Sequence, residues 1–85
     1  MFKTPFIPIE NYEFEKDTLH IISHEFAQEY NMIPIDKMGN LITIAMSDIY
    51  NEHPIKLIEQ NTGLKVMKIK GNIDTIKEVI KREYI

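Results

Sequence analysis

Between residues 17 and 30 the apolar side chains Leu19, Ile22, Phe26, Ala27 and Tyr30 recur at helical spacing, while Glu25, Gln28 and Glu29 fall on the opposite face. That pattern predicts an amphipathic helix. Asp17 and Ser23 are both good N-caps, so the stretch fits either one rod or a short turn followed by a longer helix. Two β-rich runs come next, Met32-Ile33-Pro34-Ile35 and Leu41-Ile42-Thr43-Ile44-Ala45-Met46, and the Gly39-Asn40 pair between them supplies the positive φ of a hairpin turn. Pro34 has no N–H to give to a ladder, so the first strand is expected at a sheet edge or with that position turned outward. The second strand, apolar almost throughout, is expected in the centre and buried on both faces.

After Asp48 the pattern predicts a second helix, with Pro54 in its first turn, Ile55, Leu57 and Ile58 inside and Gly63 at its C-cap. Leu64 to Ile69 has strand composition with imperfect alternation. Gly71-Asn72 then precedes Ile73, Ile76, Val79, Ile80 and Tyr84, the apolar stripe of a last helix that Asn72 or Asp74 would cap. Residues 2–15 differ from all of this: prolines, aromatics and acids alternate (Phe2, Pro5, Phe6, Pro8, Tyr12, Phe14) and read as an extended arm laid over the domain. The expected fold class is α+β, as a single domain over 1–85 with the arm at 1–16 and the body at 17–85. In the body a small sheet of about three strands, the hairpin plus one further strand, is covered by helices in the order α-β-β-α-β-α.

Eighty-five residues, 44% hydrophobic and 27% charged, suit one compact globular core with little room for a large ligand cavity. Cysteine is absent, which removes disulfides, thiolate metal sites and cysteine nucleophiles together and fits a reducing compartment. The cytoplasm is the expected location. No apolar run approaches the roughly 18 residues that span a bilayer, and the N-terminus lacks the pattern of a secretory signal, so direct membrane insertion is not expected. The net charge of −3 is uneven: residues 1–36 carry seven acids against Lys3 and Lys16, while the remainder carries six acids and eight bases. An acidic chain whose one arginine is Arg82 offers few phosphate clamps, which argues against nucleic acid.

Candidate chemistry is sparse. The three glycines are each explained by a turn or a helix end, and neither Gly-x-x-x-x-Gly-Lys-Ser/Thr nor Gly-x-Gly-x-x-Gly occurs. His20 and His24, four apart on one helix face, could present two metal ligands, but a third would have to come from His53 or a distant acid. No metal, cofactor or catalytic residue is therefore expected, and the chain reads as a non-enzyme. Ser23 beside His24 makes no nucleophile and base, because neighbouring helical residues do not face each other. Asp48 is the candidate ligand contact, since ligand sites in α/β layers sit at strand C-termini; a turn or capping acid is the competing reading. Met32, Met38, Met46 and Met67 fit either core filling or an adaptable contact surface. Lys65, Lys68 and Lys70, with Lys56, form a potential basic strip along the last strand. The candidate protein-contact residues are Phe6, Tyr12, Lys65 and Lys68, the exposed aromatics and the edge lysines.

The strings Phe6-Ile7-Pro8-Ile9-Glu10-Asn11-Tyr12-Glu13-Phe14, Glu25-Phe26-Ala27-Gln28-Glu29-Tyr30-Asn31-Met32-Ile33-Pro34-Ile35 and Gly39-Asn40-Leu41-Ile42-Thr43-Ile44-Ala45-Met46-Ser47-Asp48 carry a further signal. In order and spacing they resemble the C-terminal half of the N-terminal domain of type II secretion and type IV pilus assembly ATPases, and Ile58 to Val66 and Ile76 to Tyr84 echo the later part of that domain. The resemblance implies a non-catalytic regulatory or docking module that engages the inner-membrane assembly platform or the cognate ATPase; in some members this region is a cyclic-di-GMP sensor, which is the alternative function. The arginine-bearing motifs that bind the nucleotide in those members lie upstream of the matching region, so cyclic-di-GMP is not an expected ligand here. The ATPase with its nucleotide loop is also outside the match, as in a free-standing homologue or a fragment. Ser23 and Ile49 stand where the family often has proline.

Overall fold

The computed structural model describes residues 13–84, so the arm expected at 1–16 falls outside it as far as residue 12. The first helical stretch resolves into a single turn, α1 (Lys16–Leu19), and a second helix, α2 (His24–Tyr30). Ser23 makes the break: its backbone is extended and its hydroxyl accepts the Phe26 N–H at 3.1 Å, satisfying one of the donors that a helix start leaves unpaired. Asn31 closes α2 in the left-handed region, with φ of 52°, and turns the chain directly into β1 (Met32–Met38).

Strand β1 pairs antiparallel with β2 (Leu41–Met46), and Gly39, at φ 60°, takes the tight turn between them. β1 therefore continues three residues past the end that its apolar run suggests. A register shift between Pro34 and Asp36 sets Asp36 opposite Thr43 and leaves Ile35 outside the regular ladder, still buried. This is how a strand containing a proline keeps four successive buried residues.

Asn51 caps α3 (Glu52–Thr62) by accepting the His53 N–H. Pro54 occupies the third helical position, where an N–H would have no intrahelical acceptor. Gly63 ends α3 at φ 73°, and β3 (Lys65–Lys70) then pairs parallel with β2, one residue later than its composition indicated. The sheet order is β1-β2-β3, so the apolar strand is central and the proline strand lies at an edge. The last helix, α4 (Ile73–Glu83), is capped by Asn72, whose side chain accepts from both Asp74 and Thr75; Asp74 is not the cap.

α4 packs on β1 and β2, α3 on β3, and α1 and α2 on β1. Ile33, Ile42, Ile44, Ile76, Val79 and Ile80, with Met32 and Met46, close the core between these layers. One expectation needs correction. Burial on both faces of β2 holds for Ala45 and Met46 at its C-terminal end, but Leu41 and Thr43 are only half-buried. The helices cover one half of that sheet face and leave the other open.

Candidate functional site

Two residues beyond the central strand, Asp48 turns the chain. Its Oδ1 accepts the Tyr50 N–H at 3.0 Å and its carbonyl accepts the Asn51 N–H at 3.3 Å, an Asx turn that delivers Asn51 to the cap of α3. At the tip of this turn Tyr50 is 85% exposed. Sequence periodicity passes over Tyr50 because a loop residue belongs to no apolar stripe, although an aromatic flanked by the turn residues Asp48 and Asn51 is a signal of display.

Lys68 braces the loop from β3. Its Nζ donates to the Ile49 carbonyl at 2.9 Å and to Glu52 Oε2 at 2.8 Å. The hydrogen bond from Lys68, together with its charge, holds the Glu52 carboxyl below the usual carboxylate range. Lys65 is exposed but lies three residues earlier on the same strand, so strand alternation turns its side chain to the opposite sheet face from Lys68 and Lys70. The basic strip is thus divided between two faces. The outer edge of β3 is also partly sealed, since Glu59 Oε2 accepts the Val66 N–H at 3.1 Å.

Phe6 and Tyr12 lie outside the described residues. His20 and His24 both meet the Tyr84 ring, His24 stacked at 5.2 Å and 5° and His20 edge-on at 6.4 Å, which gives the histidine pair a packing role. Among the described residues no group of three or more His, Asp or Glu side chains is placed to hold a metal ion. The methionines divide: Met32 and Met46 are fully buried, whereas Met38 and Met67 are exposed. An open groove of about 350 Å³ between α2 and α4 is lined by Gln28, Asn31, Asp74, Lys77, Glu78 and Lys81. Its carboxylates and amines are balanced, which gives a polyanion no net attraction. No helix among the described residues is long and apolar enough to cross a membrane.

Known proteins place this arrangement. Residues 2–84 match the MshEN domain family. The type IV pilus assembly ATPase PilB of Myxococcus xanthus (strain DK1622) is 23% identical over 83 residues, an alignment that takes in 98% of this chain and 15% of PilB. Among solved structures, MshE with cdg superposes with a TM-score of 0.81 at 16% identity, covering 94% of this chain and 58% of the other. The N-terminal domain of XpsE superposes with a TM-score of 0.79 at 19% identity, covering 95% and 58%. At those identities the structures establish a shared fold. The chain thus spans a small part of the curated relative and somewhat over half of each solved chain. Because the matched region is the N-terminal domain and not the catalytic ATPase domain, this domain is non-catalytic. The chain belongs to the MshEN domain family, the N-terminal domain of type II secretion and type IV pilus assembly ATPases.

Proposed function

We propose that this domain is a docking module that works in the cytoplasm and binds a protein component of a secretion or pilus machine, either the inner-membrane platform or the cognate ATPase. The observation that carries the reading is the exposed Tyr50, held on a turn that Asp48 hydrogen-bonds from one side and Lys68 braces from the other. A ring displayed on a rigid support loses little conformational freedom on binding, which is the usual character of an interface anchor. Lys68 supports the loop through the Ile49 carbonyl, and Lys65 supplies positive charge at the opposite face of the same strand. Family membership supports the module reading, since relatives carry this domain in such ATPases.

The test is direct binding of the purified chain to the cytoplasmic domains of the platform protein and to the catalytic region of the cognate ATPase, by biolayer interferometry. Binding that Tyr50→Ala and Lys65→Glu each weaken, in variants with unchanged melting temperatures, supports the proposal. Absence of binding to either protein overturns it.

A second reading, a cyclic-di-GMP sensor, is favoured by the likeness to MshE, which was solved with cdg. Against it, the sequence holds a single arginine, Arg82, on the last helix with its Nε on Glu83 at 2.9 Å, so guanine stacking and phosphate pairing have one candidate guanidinium to share. Calorimetric titration of the chain with cyclic-di-GMP separates the two: saturable heat favours the sensor, and its absence favours docking.

A further inference from the structure

The Tyr50 turn adjoins a second set of rings. On α2, Phe26 and Tyr30 lie four residues apart on one stripe with ring centroids 4.9 Å apart, and Tyr30 meets His53, on the first turn of α3, at 6.1 Å. The Ser47 N–H donates to the Asn31 carbonyl at 3.2 Å, which fastens the end of α2 to the start of the loop that carries Tyr50. The rings thus form a band from α2 across to the N-terminus of α3, with Phe26 and Tyr30 half-buried and His53 exposed. Beside Phe26 the seam between the two helices opens into a groove of about 180 Å³ lined by Ile21, Ile22, Phe26, Ile58, Asn61 and Thr62. That volume is below the roughly 300–1,000 Å³ of a small-molecule site and suits one inserted side chain.

The charge along this band is unbalanced in one direction. Glu25 and Glu29 form the α2 stripe next to Phe26 and Tyr30; both are exposed, and among the described residues neither is paired with a cation. Asp48 engages one carboxylate oxygen with the Tyr50 N–H and likewise has no ion pair among the described residues. On the α3 side Glu52 already holds Lys68, and the charge of Lys56 also falls on it. Carboxylates without counter-charge among the described residues therefore border a set of aromatic rings. An anionic surface is repelled there, whereas a guanidinium or ammonium is attracted twice, by the carboxylates and by the ring faces.

We infer that the seam between α2 and α3 receives a basic amphipathic helix of a partner protein, with an aliphatic side chain in the groove beside Phe26 and an arginine or lysine over Tyr30, within reach of Glu29. The inference rests on the docking reading above and gives the partner its chemistry. Spacing supports a helix, since Phe26 and Tyr30 are one turn apart, about 6 Å along α2, and residues i and i+4 of an incoming helix are separated by the same rise. A second copy of this chain is a poor occupant, because the helix that carries Lys77, Lys81 and Arg82 turns its apolar stripe, Ile76, Val79 and Ile80, into its own core.

Two synthetic helical peptides with the same leucine stripe, flanked by arginine in one and by glutamate in the other, test this by NMR titration of the purified chain. The arginine peptide should shift the ring signals of Phe26, Tyr30 and His53, and the glutamate peptide should not. Glu29→Lys should weaken the arginine peptide at least tenfold, and Glu29→Gln by a smaller factor, with the Tyr84 ring signals unmoved as the sign of an intact fold. Equal responses to the two peptides, shifts confined to the exposed Met38 and Met67, or unaltered affinity in both variants overturns the inference. The same mapping with the platform domain and the ATPase region separates it from the docking reading. A protein that shifts Tyr50 and leaves Phe26, Tyr30 and His53 untouched overturns the inference while docking stands. An arginine peptide seated on the rings, with neither protein binding, supports the seam and overturns the choice of partner.

Discussion

The hydroxyl of Tyr84 donates to the carbonyl of Leu19 at 2.7 Å, joining the C-cap of α4 to the end of α1 across 65 positions of sequence. The same oxygen lies 3.4 Å from the Ile22 carbonyl, and the ring is buried under His24. One side chain thus locks the α1–α2 break onto the last helix. Tyr84→Phe keeps the ring and strands the buried carbonyls, at a cost of about 1–3 kcal/mol. In a chain of this size each kcal/mol lowers the melting temperature by about 4–8 °C, so calorimetry should read a loss within that scale. No change would show that water satisfies those carbonyls.

Burial also pushes the Tyr84 hydroxyl well above the ordinary tyrosine range. The native state therefore holds a proton that the unfolded chain gives up near pH 10, and the stability tied to that proton is complete below about pH 10 and lost as pH rises beyond it. Half-buried Tyr30 is displaced the same way, by desolvation first and then by Glu29, and adds to the same limb. Urea midpoints between pH 8 and 11 should fall on the alkaline side, and Tyr84→Phe should flatten that fall. An equal slope in the variant would exclude Tyr84 as its source.

Much of this architecture is legible along the chain. The caps at Ser23, Asn72 and Gly63 and the Gly39 turn follow from local backbone chemistry, and local chemistry is what a sequence displays. The open half of the sheet face is not legible, because Leu41 and Thr43 look as central as Ala45 until the path of α4 is known. Lys65 and Lys68 read as one strip until strand alternation separates them. Tyr50 and the Lys68 brace escape notice for a related reason: the ion pair with Glu52 spans 16 residues and depends on the parallel return of β3.

Lys68 offers a way to separate structure from docking. Lys68→Met keeps the apolar stem and removes the charge, leaving Glu52 unpaired and the Ile49 carbonyl without its donor; Lys68→Glu adds a second carboxylate beside Glu52. The loop should loosen in both variants, and more in the second, read as faster amide exchange at residues 49–51. Because the pair is surface-exposed, its contribution should shrink as salt rises. If Lys68→Met weakens partner binding without speeding exchange, the amine itself touches the partner; if the two change together, Lys68 acts by holding Tyr50.

Of the three glycines, the one without room for a side chain lies where β3 passes into α4. Gly71 donates its N–H to the Met46 carbonyl at 2.9 Å, which pins it against the central strand, and the space a methyl would need is filled by Ile76 Cδ1 at 2.8 Å and Cγ1 at 3.3 Å. Ile76 is fully buried, so it has little freedom to withdraw. Gly71→Ala should therefore destabilise by about 1–3 kcal/mol through overpacking. Ile76→Val removes the offending Cδ1 and by itself should cost about 0.5–1.5 kcal/mol as a small cavity. In the double variant the added methyl occupies part of the vacated space, so the combined loss should be smaller than the sum of the single losses. The contrast is Gly63→Ala, where no atom lies within 4 Å of the new methyl but φ is 73°; its cost is backbone strain of about 1 kcal/mol and should be indifferent to Ile76→Val. Denaturant unfolding of the five variants measures all of these terms, and strict additivity between positions 71 and 76 would mean that α4 does not seat on the sheet through this contact.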